Sequence, residues 1–300
     1  MKRSILPTVA ISAGLITSFV TGLGQAAWAG TLHNGWNYSI DSFNDGTQAG
    51  RVGDTSAYEF YGMAMKKTKD KVYFAVNSNL SIDGEASNGA KNGTIAFGDL
   101  FLNFGDSSSV SAENGNLYGI RFSDANDSSE YGIGLGLYSD VTGVGLMRKN
   151  NGYSNLKSHR NKVNKKYGGH ASFGDLNAKT AYFNHNSGKK LNKSAYGYTN
   201  IKSGNFLGGV EMVSNLSNLG LDFGHFGARG TETIGFSVDR SVLPDTSFIA
   251  HLFAECNNDG IVLAGDLAHV PEPSAMLSLA LFGLAGAGYR RFKGIKEQAS

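Results

Sequence analysis

Two short, glycine-bearing turns carry side-chain oxygens of the kind that could hold a metal ion. Asp41, Asn44 and Asp45 stand ahead of Gly46, and Asn258 and Asp259 stand ahead of Gly260. Carboxylate and amide oxygens on tight loops are the ligands that a hard cation such as Ca²⁺ takes, yet neither stretch has the spacing of an EF-hand loop. No metal is assigned from the sequence and no cofactor is expected; Ca²⁺ is the ion these oxygens would suit. Cys256, in front of the second turn, is the one cysteine of the chain, so no intrachain disulfide can form. Its neighbours Glu255 and Asp259 are acidic, whereas a reactive thiolate needs a basic setting, and a small core residue is the expected role. The seven histidines, His33, His159, His170, His185, His225, His251 and His269, stand singly, without the HExxH spacing that holds zinc. No GxSxG elbow presents a serine nucleophile. The glycines of 132–136 lack the following helix and acidic partner of a dinucleotide fingerprint. Glycosidase carboxylates pair in space rather than in sequence, so no acid and base can be named. The chain is therefore expected not to be an enzyme.

The two ends carry a different kind of signal. Lys2 and Arg3, an apolar stretch over 5–20, and Ala27-Trp28-Ala29 before Gly30 have the layout of a secretory signal peptide cleaved after Ala29. At the other end, Val270-Pro271-Glu272-Pro273 is followed by an uncharged run over 274–289 and then by Arg290, Arg291, Phe292 and Lys293. Pro271 and Pro273 fix φ and cannot donate to a ladder, which leaves Glu272 on an extended, accessible linker. The run is short against the roughly 20 residues that cross a bilayer, and Gly283, Gly286 and Gly288 dilute it. Such a span with a basic stop reads as a temporary anchor, its charged end on the cytoplasmic side.

Val-Pro-Glu-Pro, an Ala/Leu/Gly-rich helix and a terminal Arg-Arg cluster together resemble the PEP-CTERM sorting signal of Gram-negative bacteria. The resemblance implies recognition by an exosortase, with Val270, Pro271, Glu272, Pro273, Arg290 and Arg291 as the sorting residues. It divides the chain into a signal peptide (1–29), an exported surface domain (30–269), a sorting signal with a transmembrane helix (270–293) and a cytoplasmic tail (294–300).

The elements between the ends read as β-structure. Forty-one glycines against four prolines, with abundant Asn and Ser, supply the left-handed positions that many tight turns need. The two ends hold six of the 27 basic residues and two of the 25 acidic ones, which leaves the exported part near neutral at −2. That balance excludes an electrostatic nucleic-acid binder. Alternation predicts strands over 36–43, 57–65, 71–77, 94–104, 117–122, 131–138, 180–184, 206–213, 233–239 and 247–256, with 66–70 as a hairpin loop. The cleanest alternation is 131–138. The strand over 247–256 is apolar on both faces and should lie inside a sheet. Residues 149–191 turn polar and basic, with Lys157, His159, Arg160, Lys162, Lys165 and Lys166 close together. A long, partly helical insertion is expected there, with an acidic-glycan contact as the functional alternative.

Five stretches carry a second resemblance: Asp41-Ser42-Phe43-Asn44-Asp45-Gly46, Tyr58-Glu59-Phe60-Tyr61-Gly62-Met63-Ala64, Gly98-Asp99-Leu100-Phe101-Leu102-Asn103-Phe104, Thr233-Ile234-Gly235-Phe236-Ser237-Val238-Asp239-Arg240 and Glu255-Cys256-Asn257-Asn258-Asp259. They are similar to a cyanobacterial-type family of exosortase-dependent surface proteins, which brings no established activity and no further site residues. The fold expected is all-β, a single antiparallel β-sandwich of jelly-roll type. The function expected is a non-enzymatic surface or extracellular-matrix protein of a Gram-negative cell, held transiently in the inner membrane by 274–289. Its partners in export would be signal peptidase and exosortase. The competing role is a carbohydrate-binding module on exopolysaccharide, which should show a row of exposed aromatics on one sheet face; a secreted hydrolase is the remaining alternative.

Overall fold

The computed structural model describes residues 30–268, apart from 106–107, 178, 185, 188–189 and 192–194. The signal-peptide residues Ala27 and Ala29 and the whole sorting segment from residue 270 onward lie outside the described residues. Among the described residues no helix is long and apolar enough to cross a membrane.

Two six-stranded antiparallel sheets carry the fold. In chain order their strands are β1 (Thr31–His33), β2 (Trp36–Ile40), β3 (Phe60–Lys67), β4 (Lys71–Ser78), β5 (Leu100–Asn103), β6 (Leu117–Arg121), β7 (Gly136–Val144), β8 (Asn200–Gly208), β9 (Glu211–Met212), β10 (Glu232–Asp239), β11 (Ser247–Phe253) and β12 (Gly260–Asp266). The first sheet runs β1-β2-β3-β4-β10-β9 and the second β8-β7-β6-β5-β11-β12. The expected β3–β4 hairpin is present, with Met65 opposite Phe74, and β10 adds Phe236 on the other side of Phe74. In the second sheet Leu102 of β5 pairs with Tyr118 of β6 and Ala250 of β11.

One cluster of buried side chains draws on both sheets: Met63, Phe74, Val76 and Phe236 from the first, Leu100, Ile120, Leu252 and Leu263 from the second. Period-2 alternation places these residues on one face of each strand. The opposite faces are covered too. Phe101, Val141, Ile249 and Val262 of the second sheet pack under the polar insertion, against Leu156, Phe173 and Phe183. That double cover is why β11 is apolar on both sides and lies inside its sheet, between β5 and β12. Trp36 and Tyr38 of the first sheet face a covering segment that supplies Leu216 and Phe223, and the Trp36 indole N–H donates to the Leu219 carbonyl at 2.9 Å. Their partners in the alternation, Asn37 and Ser39, reach β12 instead, donating to the carbonyls of Ala264 and Val262.

The insertion contains the one short α-helix among the described residues, α1 (Leu156–Lys162), capped by the Asn155 side chain and continued by a π-helical turn, Val163–Tyr167. One expected strand is not there and another is shortened. Residues 180–184 form a turn, although Tyr182 and Phe183 are buried. The clean alternation of 131–138 is broken by a 3₁₀ turn, Asp127–Tyr131, whose N-cap is the Asn126 side chain and which ends on Gly132 at φ 74°. The cap and the left-handed glycine give this stretch helical-turn chemistry that the apolar alternation does not override. Leu135 consequently points to solvent and the strand starts only at Gly136.

Candidate functional site

The two oxygen-rich turns of the sequence meet. Asp41 follows β2, Asp45 lies four residues on, and Asp259 closes the β11–β12 hairpin immediately before β12. One carboxylate oxygen from each of the three lies within 4.8 Å of those of the other two, and all three side chains are buried. Glu59, just ahead of β3, joins them from the same sheet as Asp41 and is wholly buried.

Backbone N–H groups hold one oxygen each of Asp41, Asp45 and Glu59 and both oxygens of Asp259. Asp41 Oδ1 accepts from Ser42 at 2.9 Å and Gly174 at 3.1 Å, and from the Ser172 hydroxyl. Asp45 Oδ2 accepts from the Ser172 N–H at 2.7 Å and Glu59 Oε2 from the Gly46 N–H at 2.7 Å. Asp259 crosses between the sheets: its Oδ2 accepts from the Phe60 N–H and its Oδ1 from the Gly260 N–H, both at 2.8 Å. The other oxygens, Asp41 Oδ2, Asp45 Oδ1 and Glu59 Oε1, are buried with no hydrogen-bond partner. Gly46 lets the loop come this close, since a Cβ there would stand 2.5 Å from the Glu59 Cα.

None of the described ion pairs involves these four carboxylates. His159 of α1 touches the loop through Nε2, 2.8 Å from the Asp45 carbonyl, but burial pushes its pKa down to about 4, so the ring is neutral. Burial raises Asp41 to about 7, and burial together with the Asp41 charge raises Glu59 to about 9. Asp45 and Asp259 are driven well above the carboxylate range by burial first and by the neighbouring carboxylates second.

A second buried acidic network shows the contrasting solution. Asp99 Oδ1 accepts from Asn126 Nδ2, and its Oδ2 from the Ile201 N–H and the Ser128 hydroxyl. Glu255 Oε1 accepts from the Asp127 N–H and Asn200 Nδ2, and its Oε2 from the Ala96 N–H. Every carboxylate oxygen here has a donor. Burial still raises Asp99 to about 6 and Glu255 to about 8.

The remaining candidates are weaker. His33 and His225, far apart in sequence, stack at 3.9 Å with Asp222 beside them. Parallel stacked rings cannot both hold one ion in plane, as imidazole ligation requires. Cys256 is buried and its thiol is pushed up to about 12 by burial, as the sequence led one to expect of a core residue. Of the basic run, His159 turns inward while Lys162 and Lys166 join Tyr153 and Tyr167 along an open cleft of about 280 Å³ that also reaches Thr47 and Asn258. Phe206 is the one aromatic among the exposed large hydrophobic side chains of the described residues, so no aromatic row marks a sheet face.

Asp41, Asp45 and Asp259 were visible in the sequence as candidate ligands, whereas Glu59 and Ser172 were not. A charged residue inside the apolar run Tyr58-Glu59-Phe60-Tyr61 was the available signal for Glu59. Ser172 offered none.

Comparison with known proteins finds its match at the C-terminus. Residues 269–291 match the PEP-CTERM protein-sorting motif. The chain carries an exosortase sorting signal. No curated protein and no solved structure matches the chain. The PEP-CTERM match contains all six residues read as sorting residues, from Val270 to Arg291, and it implies processing by an exosortase with membrane-associated sorting to the cell surface.

Proposed function

We propose that this chain is a non-enzymatic structural protein of the cell surface or extracellular matrix of a Gram-negative cell. In this reading its signal peptide is removed after Ala29, residues 30–269 form one exported β-sandwich, and 274–289 hold it in the inner membrane until the sorting enzyme acts. The PEP-CTERM motif at residues 269–291 is the observation that carries the reading. The body of the protein supports the non-enzymatic part: its acidic clusters are buried within the fold and its cysteine is a core residue. A carbohydrate-binding role has less behind it, because the described residues present no aromatic row to stack on sugars.

The physical case for the C-terminus is a division of labour. The apolar run parks the chain in the membrane, and Arg290 and Arg291, at about 2.5–3.5 kcal/mol each to bury, stop it there. Glu272 is then the one charged group on the linker presented at the outer face. Glu272→Gln, and separately the pair Arg290→Gln and Arg291→Gln, should each accumulate as unprocessed membrane-bound precursor in a host with an exosortase. Fractionation and immunoblotting report this. Normal surface delivery of both variants would refute the reading.

A further inference from the structure

We propose that Asp41, Asp45, Glu59 and Asp259 form a binding site for one divalent cation, and that the chemistry of the site is that of calcium. The inference rests on the geometry of the exported domain and is independent of how the chain is sorted.

Three observations converge. Four carboxylates from two sheets are buried together, and three of them, Asp41, Asp45 and Glu59, each keep one oxygen bare while the other is held by the backbone. The second buried network among the described residues is built differently: each carboxylate oxygen of Asp99 and Glu255 has a donor. A buried, unpartnered carboxylate oxygen is costly, and several facing one another are more so. A trapped water would bring two hydrogens and no charge, too little for this many bare oxygens. A divalent cation supplies both the charge and the missing contacts.

The donor set selects the cation. All ligands are carboxylate oxygens, which suit hard ions rather than zinc or copper. One carboxylate oxygen from each of the three aspartates lies within 4.8 Å of the others, close enough for all three to reach one ion at the roughly 2.3–2.6 Å of a Ca²⁺–oxygen contact. Mg²⁺ binds closer, at about 2.0–2.1 Å, and keeps several waters, which a buried all-protein cage does not favour. Bound there, the ion would tie together the end of β2, the start of β3 and the β11–β12 hairpin. The insertion is tied in through Ser172 and Gly174, which hold Asp41 and Asp45.

The test uses the full chain, purified in detergent and stripped with EGTA. Equilibrium dialysis against Ca²⁺ should show one ion bound per chain, and the melting temperature should rise with Ca²⁺ and far less with equimolar Mg²⁺. Asp45→Asn and Asp259→Asn should each weaken binding by at least about 10- to 100-fold. Asp45→Asn removes one of the crowded carboxylates and keeps an acceptor for the Ser172 N–H, so in EGTA it should melt at or above the temperature of the unaltered chain, while in Ca²⁺ it should melt below it. Asp222→Asn, in the surface His33 cluster, should bind Ca²⁺ unchanged. The proposal fails if Ca²⁺ uptake is absent, if it survives Asp45→Asn and Asp259→Asn, or if it follows Asp222 instead. It also fails if melting is the same in EGTA and Ca²⁺, for then the carboxylates are neutralised by protons alone.

Discussion

Replacing Phe236 with alanine should be among the most damaging single changes in the exported domain. Its ring is fully buried on β10 of the first sheet, stacked at 4.3 Å and 11° on Phe122, the residue that follows β6 of the second sheet. On its own sheet it lies 5.9 Å from Phe74, its direct cross-strand neighbour. Phe→Ala in a core costs about 3–5 kcal/mol through lost transfer energy and the cavity left behind. Ring pairing accounts for about 0.5–1.5 kcal/mol per pair. Against a domain stability of about 5–15 kcal/mol, a loss near 4 kcal/mol leaves the variant marginal. Urea unfolding followed by the fluorescence of Trp36, the single tryptophan after Gly30, should show the midpoint fall without a change in slope. A double-mutant cycle with Phe122→Leu and Phe236→Leu isolates the contact between sheets, with an expected coupling of about 0.5–1.5 kcal/mol. A loss under about 1 kcal/mol on Phe236→Ala, or a coupling of zero, would refute face-to-face packing of the two sheets through this pair.

The satisfied acidic network predicts the pH dependence. Glu255, raised to about 8, and Asp99, raised to about 6, bind protons more tightly folded than unfolded. The stability they contribute is therefore full in mild acid and is lost as pH rises from about 4 through 8. Thermal melts in EGTA should fall between pH 5 and pH 9, and a profile that rises over this window would count against burial as the dominant cause. Gly152 packs on the turn after β11, where an added Cβ would stand 1.7 Å from the Cys256 carbonyl oxygen. Gly152→Ala should cost at least about 1–3 kcal/mol by overpacking, and an unchanged melting temperature would mean the insertion does not sit against that turn.

Much of the fold was legible because it is local. The β3–β4 hairpin and β11 follow from alternation and turn residues within a few positions of one another, and the partly helical insertion follows from its polar composition. The stretch over 131–138 misled because two local signals compete there, and the Asn126 cap with Gly132 prevails over the apolar period. Trp36 and Tyr38 alternated as expected, but a period of two cannot say which of two covered faces a residue joins. Only the folded chain turns them onto the segment around Leu216 and Phe223.

The sorting signal was decided by the sequence alone. An enzyme or a bilayer reads Pro271-Glu272-Pro273, an apolar run and Arg290-Arg291 as a linear string, so order and spacing along the chain are the whole message. The carboxylate cluster was decided by tertiary structure. Asp41 and Asp45 stand more than two hundred residues from Asp259, and neither turn has the spacing of a metal loop by itself. Their oxygens converge because the Phe60 N–H at the start of β3 holds Asp259 from the other sheet, and because Ser172 of the insertion closes over Asp41 and Asp45. Residues this far apart are brought within a few ångströms by the stacking of strands and the path of the insertion, and a pattern confined to neighbours along the chain holds no information about that distance.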